Sequence, residues 1–97
     1  MRTLVKITIP VEAGNRGLQD GSLPRIVMET IDRLKPESAY FLTENGVRTA
    51  LLVIDVNDPS DIPAIAEPFF TGLDAAVHFS PVMNAEDLKK GLGKTGK

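Results

Sequence analysis

From residue 4 to residue 9 the chain alternates, with Val5, Ile7 and Ile9 on one side and Leu4, Lys6 and Thr8 on the other. A period of two defines a strand, and Pro10, which has no amide to donate, ends its ladder. Residues 13–21 carry three glycines and no sustained apolar period, which predicts a loop with room for a helical turn. Ser22 then caps a helix whose first turn accommodates Pro24; Ile26, Val27, Thr30, Ile31 and Leu34 form its inner stripe, and Lys35-Pro36 stops it.

Two β-rich runs, residues 38–43 and 47–56, flank Glu44-Asn45-Gly46, and Asn-Gly suits the positive φ angles of a type I′ hairpin turn. With Asn45 and Gly46 as loop residues, Glu44 faces Val47, Thr43 faces Arg48, Phe41 faces Ala50 and Tyr40 faces Leu51. That register places Ala39, Phe41, Ala50, Leu52, Ile54 and Val56 on one face. It places Ser38, Tyr40, Leu42, Thr49, Leu51, Val53 and Asp55 on the other.

Asp58-Pro59-Ser60-Asp61 opens a further helix, with Ser60 as the expected cap and Ile62, Ile65, Ala66 and Phe69 facing inward. Pro68 removes an amide donor and is expected to bend or end that helix near Glu67. Residues 75–81 return as a strand with Val77 and Phe79 opposite Ala76, His78 and Ser80. Asn84 and Asp87 have capping-box spacing for a short helix ending at Gly91, and residues 89–97 read as a frayed basic tail. The order βαββαβ predicts an α+β ferredoxin-like sandwich over residues 1–97, a four-stranded antiparallel sheet with helices on one face and spatial strand order four, one, three, two.

Composition narrows the chemistry. Ninety-seven residues suit one small domain, and a formal charge of −2 gives no cationic field for nucleic acid or an anionic membrane. No cysteine and one histidine exclude disulfides, thiolate nucleophiles and the common zinc sites. No apolar run approaches the ~18 residues of a membrane helix, and the N-terminus does not read as a secretory leader, so a cytoplasmic location is expected.

Helices on one face leave the other to water, and that face carries Leu4, Leu42, Leu51, Val53, Ala76 and Val82. A patch of this kind predicts a symmetric homodimer through the sheet, the alternative being a C-terminal helix folded back over it. Asp20-Gly21-Ser22-Leu23-Pro24, Pro36-Glu37-Ser38-Ala39-Tyr40-Phe41, the run from Asp58 to Phe70 and Pro81-Val82-Met83-Asn84-Ala85-Glu86-Asp87-Leu88 are similar to a group of small bacterial proteins of uncharacterised role with a dimeric α+β barrel fold. The resemblance spans most of the chain and implies the fold and a sheet-to-sheet dimer. It carries over no catalytic residue, and the wider superfamily, with its muconolactone isomerases and cofactor-free monooxygenases, is similar in architecture only.

Two sets of side chains are candidates for function. His78, Lys6 and Tyr40, with Thr8, Thr49 and Ser80, share the helix-free face; an imidazole to move a proton, a lysine that stabilises an enolate and a phenol donor would suit proton transfer. Polar side chains in an interface also commonly satisfy one another. The second set is Phe69 and Phe70, beside which a helix bent at Pro68 leaves an apolar pocket, with Arg48 and Thr43 at the hairpin end of that face placed to hold a carboxylate. A lone His78 is not a metal site, Asp58 and Asp61 are explained as helix-start carboxylates, and Gly91-Leu92-Gly93-Lys94-Thr95 fails the phosphate-loop pattern. No metal and no cofactor are expected. The sequence thus points to a homodimer that binds a small apolar or carboxylated metabolite. A cofactor-independent isomerase or monooxygenase and a structural or protein-interaction module are the alternatives.

Overall fold

The computed structural model describes residues 1–96. Strand β1 is Arg2–Ile9, β2 Ser38–Glu44, β3 Val47–Asp55 and β4 Ala76–Pro81; they form one antiparallel sheet in the order β2-β3-β1-β4. Helices α1 (Val11–Asp20), α2 (Ser22–Leu34) and α3 (Ile62–Leu73) fill the two crossovers, and α4 (Ala85–Thr95) follows β4. This is a ferredoxin-like α+β sandwich with β1 and β3 at its centre.

The hairpin forms in the register that its turn residues dictate, Glu44 opposite Val47 and Tyr40 opposite Leu51. Asn45 (φ 55°) and Gly46 (φ 79°) both take the left-handed conformation that a type I′ turn requires. Alternation along the strands then sorts the two faces. Val5, Ile7, Ile9, Ala50, Leu52 and Ile54 turn toward the helices and are buried against Ile26, Ile65, Phe69 and Leu73. Val77 and Phe79 pack at the edge of the same core.

Three local expectations give way, as does the ending of the helix that was the alternative to a bend at Pro68. Residues 11–20 are a helix, not a loop: Ala13, Gly14 and Gly17 form its buried face, small residues that let α1 lie close to its neighbours, and Gly21 (φ 83°) breaks the chain into α2. Ser22 is inside α2 and caps nothing with its side chain; its amide instead donates to Asp20 Oδ1 (2.8 Å). Asp58, not Ser60, is the capping residue, accepting from the Ser60 amide (2.9 Å) at the start of a 3₁₀ turn, Pro59–Asp61, that leads into α3. Helix α3 does not end at Pro68 but runs on to Leu73. The carbonyl of Ala64, which the missing Pro68 amide would have engaged, accepts instead from Arg33 Nη2 of α2 (3.2 Å).

The capping box at Asn84 and Asp87 forms as its spacing predicts, but α4 continues past Gly91 to Thr95, so most of the expected tail is helical; Lys97 lies outside the described residues. Arg2 ties the start of α4 to the sheet by bonding both Glu37 (2.8 Å) and Asp87 (3.2 Å). Beyond that anchor α4 stands apart, with no buried residue and with Leu88 and Leu92 exposed. The molecule measures 57 × 28 × 17 Å, and its radius of gyration of 15.4 Å exceeds the roughly 12.5 Å of a compact chain of this length. No helix is long and apolar enough to cross a membrane among the described residues.

Candidate functional site

On the helix-free face the pairing of the strands lines up Tyr40, Leu51, Lys6 and His78 in one row, in the order β2, β3, β1, β4. Lys6 and His78 are direct cross-strand partners. The lysine head group, however, is turned the other way: it forms an ion pair with Glu44 at the end of β2. That pair crosses the next row, Ala76, Thr8, Thr49 and Leu42, where Thr49 is buried and its hydroxyl donates to the Val47 carbonyl (3.2 Å). Tyr40 is two strands from Lys6 and 67% exposed, His78 is exposed, and Ser80 at the edge bonds only the neighbouring Pro81 carbonyl (3.4 Å). No hydrogen bond among the described residues joins any two of His78, Lys6 and Tyr40. The row holds the right residue types on an open surface and does not converge on a point.

The second candidate lies on the helix-covered face. A cleft of about 240 Å³ lies between α2 and the sheet. Leu23, Val27 and Ile31 of α2 form one wall, Phe69 of α3 closes the inner end, and Ile7, Ile9, Phe41, Ala50 and Leu52 form the floor. Its origin is visible in the register. Ala50 sits between Phe41 and Ile7, and this methyl-sized residue in a row of large ones leaves the floor low beneath α2. Val27 and Ile31, both in the expected inner stripe of α2, are accordingly only half-buried.

Of the predicted aromatic pair, Phe69 lines the cleft at 2% exposure, whereas Phe70 projects outward and is not part of it. Arg48 borders the cleft, and its guanidinium lies away from the lining, against α1. It crosses α1 where Gly14 offers no side chain; a β-carbon there would lie 2.4 Å from Arg48 Nη1. Its Nη2 donates to Asn15 Oδ1 (3.1 Å). Thr43 is its cross-strand partner and is exposed. Gly14 and Asn15 were hidden by the reading of residues 13–21 as a loop; the small residues at 13, 14 and 17, spaced as one helical face, are the signal that reveals them.

Thr30, on the α2 side of the cleft, donates its hydroxyl to the Ile26 carbonyl one turn earlier (2.7 Å). The cleft is therefore an apolar slot, suited in shape and lining to holding a molecule with an apolar body. No protein-family model matches this chain, and no curated protein matches it as a relative.

Proposed function

We propose that the protein binds a small molecule with an apolar body in the cleft between α2 and the sheet. The observation that carries this reading is the shape and lining of that cleft. Its volume of about 240 Å³ exceeds the ~150 Å³ that holds a benzene ring and falls short of the range for drug-sized ligands. A single ring or a short aliphatic chain fits it. Octanol binding by the full chain, followed by calorimetry, tests the reading. The Ala50→Leu substitution fills the floor and should abolish binding while the folded circular dichroism spectrum is kept. Undiminished binding by that variant would place the ligand elsewhere.

The same protein is proposed to act as a homodimer joined through its helix-free sheet face. Tyr40 and Leu42 are exposed there, flanked by half-buried Leu4, Leu51 and Val53. Helix α4, with its apolar residues open to solvent, does not cover them. Burial of such side chains contributes about 1.5 kcal/mol or more each, and an isologous contact buries every one of them twice. A cytoplasmic location agrees with the sequence and remains part of this proposal.

A further inference from the structure

Resting on the sheet-face dimer proposed above, we infer that each copy's α4 reaches across to the other copy and seats Leu88 and Leu92 in the apolar groove between Ile62 and Phe79. That groove, of about 260 Å³, lies at the end of the sheet where β1 starts and β4 stops, and Thr3, Val56, Pro59 and Pro81 complete its walls. The Thr3 hydroxyl is already spent, donating to the Met1 carbonyl (3.0 Å). Leu88 and Leu92, four residues apart, share one face of α4 and are 46% and 59% exposed. No residue of α4 is buried.

Register keeps α4 from its own groove. Alternation along β1 puts Arg2 on the helix-free side with Leu4 and Lys6, and Thr3 on the helix-covered side with Val5 and Ile7. Arg2 holds the first turn of α4 through Asp87 (3.2 Å), so the helix starts on the helix-free side, whereas the groove opens behind the sheet. The helix-free side is where a second copy lies in the proposed dimer. Eleven residues at about 1.5 Å each make α4 roughly 16 Å long, against about 10 Å between packed sheets. The helix therefore spans the end of the partner's sheet and reaches the groove behind it. A two-fold axis that brings like ends together makes the exchange reciprocal.

Charge favours the same occupant. From Leu88 onward α4 carries Lys89, Lys90 and Lys94 and no acid. Asp58 and Asp61 sit in the chain beside the groove residues Pro59 and Ile62. Among the described residues, none of these five charges has an ion-pair partner. A cationic helix end meets an anionic rim, with the two leucines as the apolar seam between them.

The full chain, mixed as equal parts methyl-labelled and unlabelled subunits, tests the exchange by isotope-filtered NOE spectroscopy together with equilibrium sedimentation. Intersubunit NOEs should join the Leu88 and Leu92 methyl groups to Ile62 and Phe79. Leu88→Glu, at an exposed position outside the core, should raise the dimer dissociation constant about a hundredfold, because one leucine is lost at each of two symmetric contacts. Lys89→Glu should raise it less, and by an amount that shrinks at high salt. A parent dimer without those intersubunit NOEs, or a Leu88→Glu variant that dimerises as tightly as the parent, overturns the exchange and leaves the sheet-face dimer intact. A parent chain that sediments as a monomer overturns both.

Discussion

Arg33 on α2 donates through Nη2 to the main-chain carbonyl of Ala64 on α3, at 3.2 Å, and so takes the place of the amide that Pro68 lacks. A proline inside a helix both deletes this bond and pushes the carbonyl four residues earlier outward. Here that displaced carbonyl is met by a neighbouring helix, so α3 continues to Leu73 and delivers Phe69 to the end of the cleft.

The consequence is a coupling between two positions far apart in sequence. Arg33→Ala should destabilise the chain by about 1 kcal/mol, the usual worth of one hydrogen bond from a charged donor at a partly solvated site. In the Pro68→Ala background, where the amide is restored, the same substitution should cost close to nothing. A double-mutant cycle from urea unfolding measures the difference. Equal costs in both backgrounds would mean that Arg33 does not compensate for the proline.

Acid should weaken the entry to α3. The amide of Ser60, and after it the Ser60 hydroxyl, hydrogen-bond the Asp58 carboxylate and hold its pKa below the ordinary carboxylate value. A depressed pKa in the folded state contributes stability that is complete above the unfolded-state value, near pH 4, and is lost as pH falls through the folded-state value. Asp58→Asn keeps an acceptor for the cap but cannot titrate. Its melting temperature should therefore fall less between pH 5 and pH 2 than that of the parent chain, as followed by circular dichroism. Parallel profiles would remove Asp58 from the acid response.

Assembly has its own test. Leu51 lies mid-row between Tyr40 and Lys6 on the helix-free face. Equilibrium sedimentation at tens of micromolar should give the mass of two chains, and Leu51→Glu should give the mass of one with the same circular dichroism spectrum. A parent chain that sediments as a monomer would end the dimer proposal without touching the cleft.

The sheet was legible because its signals are local and periodic. Alternation in residues 4–9 and an Asn-Gly turn fix strand faces and hairpin register, and with them the pairing of Lys6 with His78 and the placing of Arg48 among the helix-facing residues. What the sequence hid depends on packing. Helix α1 has a buried face of Ala13, Gly14 and Gly17, which carries no apolar period and reads as a loop. Whether Pro68 bends or ends its helix is not legible locally, because the Ala64 carbonyl finds its partner in Arg33, thirty-five positions before the proline. The polar row was legible as a row, but its head groups were not: Lys6 reaches along the sheet to Glu44, a choice set by side-chain length and charge rather than by strand position. The cleft itself follows from one small residue, Ala50, set between larger neighbours, which alternation alone marks only as inward-facing.

The most direct test of the account is methyl NMR of the isotopically labelled chain titrated with octanol. Binding in the cleft predicts saturable shifts of the Leu23, Val27, Ile31 and Ala50 methyl groups. Shifts confined to Leu4, Leu51 and Val53 on the opposite face would contradict it.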